Sequence, residues 1–138
     1  MALKTYRDLD AWKRAMDMVV VAYKLSHELP KEERFGLVSQ MQRAAVSVPA
    51  NIAEGYGRKH RGDYVHHLSI ARGSLAELET HVTLAVRLEY VGRDSVIEVW
   101  NLRQEVGRIL NKLVQALEGR GSLNPEPGTP NPEPTEAN

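Results

Sequence analysis

The sequence predicts an all-α fold, an antiparallel up-down-up-down four-helix bundle spanning residues 1–120, followed by a tail. Three observations predict it. Apolar residues recur in steps of three and four along four separate stretches. The breaks between those stretches are short, near residues 30–33, 57–62 and 91–94, and connections that short make successive helices antiparallel neighbours. No stretch alternates polar and apolar residues between turn signals, as a strand would.

The first helix is expected from Leu9, with Leu9, Trp12, Met16, Val19 and Tyr23 as one heptad seam. Met18 to Val21 is rich in β-branched residues, but the helical spacing continues on both sides of it. Pro30 ends this helix by pushing Leu29 out of the α region. The second helix runs from near Glu33 toward Tyr56 with Pro49 inside it. A proline there removes a backbone donor and crowds the carbonyl of Ala45, at a cost of about 3 kcal/mol. The stripe Leu37, Met41, Ala44, Val48 and Ile52 keeps its phase across Pro49, so a helix kinked at Pro49 is expected rather than one that stops. The third helix has the cleanest pattern: Tyr64, Leu68, Ala71, Leu75, Leu78, Val82 and Ala85, with Gly62 as the break and Asp63 as the N-cap. Gly92 and Asp94 mark the next break. The fourth helix follows with Val99, Leu102, Val106, Ile109, Leu113 and Ala116, ending before Gly119.

The tail, residues 121–138, is read as a disordered Pro/Glu-rich extension. Five of the seven prolines lie between Pro125 and Pro134, and Asn-Pro-Glu-Pro occurs at both 124–127 and 131–134. No large apolar residue follows Leu123, so burial cannot offset the entropy of ordering. The tail also hides a charge asymmetry. The whole chain has 18 basic and 18 acidic residues, but residues 1–120 hold all 18 bases and 15 of the acids, a net of +3.

The composition excludes several classes of function. With 138 residues the chain is one domain. It has no cysteine, which removes disulfide frameworks, thiolate zinc sites and cysteine nucleophiles. The longest apolar run, Met18 to Tyr23, is far short of the ~20 residues that span a bilayer. The N-terminal segment has no apolar core of a signal peptide, so a cytoplasmic location without membrane contact is expected.

Two polar rows could form interfaces. On the second helix Gly36, Gln40, Arg43, Ser47, Asn51 and Glu54 fall within an arc of about 80°. Their small, hydrogen-bonding side chains suit a subunit interface or a buried polar seam better than a solvated face rich in Lys and Glu. On the third helix Ser69, Gly73 and Glu77 follow at steps of four. Gly73 costs about 1 kcal/mol relative to alanine inside a helix, which fits either a close helix approach between subunits or a tolerated surface glycine.

The candidate binding residues are basic. Arg58, Lys59, His60 and Arg61 are consecutive, with Arg43 and Arg72 as lesser members, and six bases face two acids between Arg34 and Arg72. A basic loop at the end of a bundle suits nucleic-acid phosphates, and repetition in an oligomer would multiply its weak single-copy affinity. No cofactor or metal site is expected. The one Glu/His pair at helical spacing, Glu77 with His81, falls short of the paired motifs of di-iron bundles. Arg61 and His66 have the spacing used by helical ribonucleases of the HEPN class, but no further carboxylate or hydroxyl completes a catalytic site, and no catalytic residue is assigned.

Three segments then resemble one family. The stretch Gln40-Met-Gln-Arg-Ala-Ala-Val-Ser-Val-Pro-Ala-Asn-Ile-Ala-Glu-Gly-Tyr-Gly57 is similar to the signature of the bacterial four helix bundle proteins, also called the 23S rRNA intervening-sequence protein family. Asp8-Leu-Asp-Ala-Trp12 and Leu68-Ser-Ile-Ala-Arg-Gly-Ser-Leu-Ala-Glu-Leu-Glu-Thr80 match it as well, as does Leu29-Pro30 followed by Glu33-Arg-Phe-Gly-Leu37. The resemblance covers nearly all of residues 5–117 and implies a four-helix bundle that assembles into a ring-like homopentamer. A similar protein accompanies the reverse transcriptase of diversity-generating retroelements and is held to bind nucleic acid, while the family as a whole has no assigned molecular function. The family brings no established catalytic residues. The expectation is therefore a non-enzymatic, oligomeric RNA-associated protein, with a protein-interaction or scaffold module, such as a reverse-transcriptase partner, as the alternative and a HEPN-like ribonuclease as the third reading.

Overall fold

A computed structural model describes residues 5–121. Four α-helices and no strand occur among the described residues: α1 (Asp10–Ser26), α2 (Leu37–Tyr56), α3 (Arg61–Arg87) and α4 (Ile97–Gly121). Short 3-10 turns at Tyr6–Asp8, Lys31–Glu33 and Arg93–Val96 precede α1, α2 and α4. Each helix packs on two others, α1 on α2 and α4, α3 on α2 and α4, as in a four-helix bundle. The expected tail lies, from residue 122 onward, outside the described residues. Gly119 does not end α4, which runs two residues beyond it.

The core is a single cluster. Met18, Met41, Ile52, Leu68, Leu75, Leu78 and Leu110 are its largest fully buried side chains together with Val48, Val99 and Val106. The α3 seam is as expected, from half-buried Tyr64 to fully buried Ala85. The α1 seam is not. Its buried face is Ala11, Ala15, Met18, Ala22 and Leu25, while Met16 and Tyr23 are 40% and 36% exposed. α1 thus carries two apolar rows, and the row of small alanines faces the core because it lets neighbouring backbones come close. In α4 the buried row is Val99, Val106, Leu110 and Val114, and Ala116 is exposed.

α2 continues through Pro49, which is itself buried. Its N-terminus is held by Glu33, whose carboxylate accepts the Leu37 amide at 2.9 Å and the Tyr90 hydroxyl at 2.7 Å. The second bond joins the α1–α2 connection to the α3–α4 connection. α3 ends in a Schellman motif: the Tyr90 amide donates to the Ala85 carbonyl and the Glu89 amide to that of Val86. Glu89 occupies the left-handed position at φ 63°, where glycine is the usual residue.

Candidate nucleic-acid interface

The α2–α3 connection is set by close packing beneath it. A Cβ on buried Gly55 would lie 2.8 Å from His67 Cβ and 3.0 Å from Tyr64 Cδ1, so only glycine lets the end of α2 approach the start of α3 this closely. Tyr56 and Tyr64 meet edge to face at 6.0 Å across the same junction. Burial pushes the Tyr64 hydroxyl up to about 12, with the neighbouring Tyr56 adding to it, so it stays protonated at neutral pH.

Above this junction stand the basic residues. Arg58, Lys59, His60 and Arg61 are all exposed. Arg58 pairs with Glu54 one turn earlier at 2.6 Å. His60 is the N-cap of α3 in extended conformation and makes no side-chain cap, and Arg61 is the first helical residue. Asp63, expected to be the cap, sits instead inside the first turn. The first amides of α3 therefore lack a side-chain acceptor, and the positive end of the helix dipole adds to the charge of Arg61.

The structure does not gather all the candidate cations at this connection. Arg72 lies three turns along α3, about 16 Å away at 1.5 Å per residue, where its Nη1 donates to Asn111 Oδ1 at 3.0 Å. Arg43 lies on α2 beside Tyr23 and Val46 and donates to Ser39 Oγ at 3.3 Å. Arg61 and His66 share α3 but point about 140° apart around it. His66 is exposed, with its ring 5.7 Å from that of His67. Glu77 and His81 belong to no cluster of three or more metal-ligating side chains among the described residues; burial lowers the His81 pKa.

The polar row of α2 divides. Gly36 caps the helix N-terminally, and Gln40, Arg43 and Glu54 are exposed. Ser47 and Asn51 turn toward α3: Ser74 Oγ donates to Ser47 Oγ at 2.8 Å, Asn51 Nδ2 donates to the Ser47 carbonyl at 2.9 Å, and Asn51 Oδ1 lies 3.0 Å from His67 Nδ1. These two form a polar seam inside the protomer. Nothing in the sequence marks Ser74 as the partner, because 27 residues separate it from Ser47. Ser69, Gly73 and Glu77 lie exposed on α3, and a Cβ on Gly73 would meet nothing within 4 Å.

These features define a small, all-helical bundle protein with a run of exposed basic residues at its α2–α3 connection. No described helix is long and apolar enough to cross a membrane. The chain belongs to the 23S rRNA-intervening sequence protein family, whose family model matches residues 7–112. It is similar to the crystal structure of a protein of unknown function from the S23 ribosomal protein family of Bacteroides thetaiotaomicron, with 25% sequence identity, a TM-score of 0.71, and coverage of 76% of this chain and 98% of that one. No curated protein matches the chain.

Proposed function

We propose that this chain is a non-enzymatic, oligomeric protein that associates with RNA through backbone phosphates at the α2–α3 connection. The observation that carries the reading is the run Arg58, Lys59, His60 and Arg61, exposed beside an α3 N-terminus without a side-chain cap. Cations and free amides converge there, a combination suited to phosphate. Phosphate contacts carry no base information, so binding should not discriminate among sequences. The test is to titrate unrelated RNAs of equal length with the full chain. Similar affinities, lowered together in an Arg58→Ala/Lys59→Ala/Arg61→Ala variant, are expected; RNA cleavage without added metal that is abolished by His66→Ala would replace this reading with a ribonuclease.

The oligomeric part has its own support. Met16, Val20 and Tyr23 form a second apolar row on α1, and Val46 lies across a groove from Tyr23. Phe35 is 88% exposed. A row of this kind fits self-assembly, up to the pentamer implied by the family resemblance, and it equally supports the second reading, a scaffold for a protein partner such as a reverse transcriptase. Light scattering on the full chain should give a multiple of the protomer mass, and a monomer at micromolar concentration would overturn the assembly. We also infer an antiparallel helix order with a bend at Pro49. The pairing of Gly55 with Tyr64 and His67, and of Ser47 with Ser74, supports the antiparallel order of α2 and α3, and Pro49 inside α2 supports the bend.

A further inference from the structure

A second cationic site lies between α3 and α4. It is a groove of about 250 Å³ lined by Arg72 of α3 and by Arg103, Gln104, Gly107, Arg108 and Asn111 of α4, with no carboxylate in its lining. The α4 residues recur at steps of one and three, so they share one face. Two of the guanidinium groups are held by neutral amides: Arg72 by Asn111 at 3.0 Å and Arg103 by Gln104 at 2.9 Å. An amide orients a guanidinium without neutralising it, so Arg72 keeps its charge and has further donors left for a ligand. Arg108 has neither a hydrogen bond nor an ion pair among the described residues and is exposed.

The acids nearby are already engaged. Glu79 Oε1 is 3.1 Å from Arg103 Nε, a nitrogen that is buried without a hydrogen bond of good geometry. Glu105 belongs to the opposite flank of α4, where Arg14 of α1 holds it at 2.9 Å. Three arginines against one carboxylate leave the groove with a net positive charge. Gly107 keeps the floor open, since a Cβ there would stand 3.3 Å from Arg103 Nη1.

We propose that this groove binds phosphate groups of the same nucleic-acid strand that the α2–α3 connection contacts, so that one strand runs along the α3 side of the bundle. The inference rests on the nucleic-acid reading above. Its geometric basis is the register of α3. Arg61 and Arg72 are eleven residues apart, three helical turns, and so differ by only about 20° around the axis while standing about 16 Å apart along it. A single small anion cannot reach both sites. Successive phosphates along one strand can span that distance. Guanidinium forks suit phosphate oxygens in bidentate pairs.

The test uses the full chain, a short fluorescent single-stranded RNA and an Arg72→Gln/Arg108→Gln variant. Arg103 is kept so that Glu79 is not left without its partner. The variant should bind RNA about tenfold more weakly, with the slope of log affinity against log salt reduced by about 1.4, two phosphates at about 0.7 each. If the double variant fails to fold, Arg108→Gln alone, at an exposed side chain, should lower the slope by about 0.7. Unchanged affinity and slope, alongside weakened binding by the Arg58/Lys59/Arg61 variant, would overturn the groove and leave the nucleic-acid reading standing. Absence of RNA binding by the wild type would overturn both. Displacement of RNA by polyglutamate at equal charge concentration would overturn the groove's assignment to phosphates in favour of an acidic protein partner.

Discussion

At the α1–α2 connection Glu33 accepts hydrogen bonds from the Leu37 amide and the Tyr90 hydroxyl, whereas at the α2–α3 connection Arg58 reaches back to Glu54 and the next three residues form no ion pair among the described residues. The charge at the first serves architecture: one carboxylate caps a helix and joins two connections. At the second, the charge of Lys59 and Arg61 is left over beyond the Arg58–Glu54 pair, because Gly55 and the Tyr56–Tyr64 pair already fix the junction beneath it. Exposed charge of one sign that the fold does not use is open to a ligand of the opposite sign. The two connections should therefore respond oppositely to mutation, one in stability and the other in binding.

The largest effect is expected just beneath the basic connection. Gly55→Leu places a side chain where even a Cβ lies 2.8 Å from His67. It should destabilise the chain by about 1–3 kcal/mol, the range for overpacking, read as a lower urea midpoint. An unchanged midpoint would mean that the junction can spread and does not fix the connection. Next is Glu89→Gly. A non-glycine residue in left-handed conformation carries a strain of about 1 kcal/mol, so the variant should be more stable by about that amount in the same measurement.

The Glu33 corner should show itself through pH. The Leu37 amide, and after it the Tyr90 hydroxyl, hold the Glu33 carboxyl below its ordinary value of 4.5. A depressed carboxyl contributes stability in full above its unfolded pKa and loses it as pH falls through the folded one. The gap in unfolding midpoint between wild type and Glu33→Gln should thus be widest near neutral pH and close below 4.5. Tyr90→Phe should lower the midpoint in the same direction by less, because the Leu37 bond remains. The smallest stability change is expected for the Arg58/Lys59/Arg61 variant, whose side chains are exposed; a large drop in melting temperature there would erase the contrast between the two connections.

Much of this is legible in the sequence, and the exceptions have physical causes. The α3 seam can be read because its spacing and its side-chain size agree. α1 misleads because it has two apolar rows at helical spacing. The larger residues Met16 and Tyr23 mark the outer row, while the core takes Ala11, Ala15 and Ala22, whose value lies in close approach rather than hydrophobicity. Asp63 has the residue type of a cap, but α3 starts two residues earlier and leaves its first amides without a side-chain acceptor. The basic connection is visible because its residues are consecutive. The α3–α4 groove is not, since Arg72 meets Asn111 across 39 residues of sequence and only packing joins them. The Ser47–Ser74 and Asn51–His67 pairs are hidden for the same reason.

The central claim is that the charge left over at the α2–α3 connection holds phosphates. The direct measurement is affinity for two unrelated RNAs across a salt series, for the wild type and for the folded Arg58→Ala/Lys59→Ala/Arg61→Ala variant. Log affinity should fall linearly with log salt, and the variant's slope should be shallower by roughly 0.7 for each phosphate it no longer neutralises, equally for both RNAs. A folded variant with the wild-type slope and affinity would contradict it.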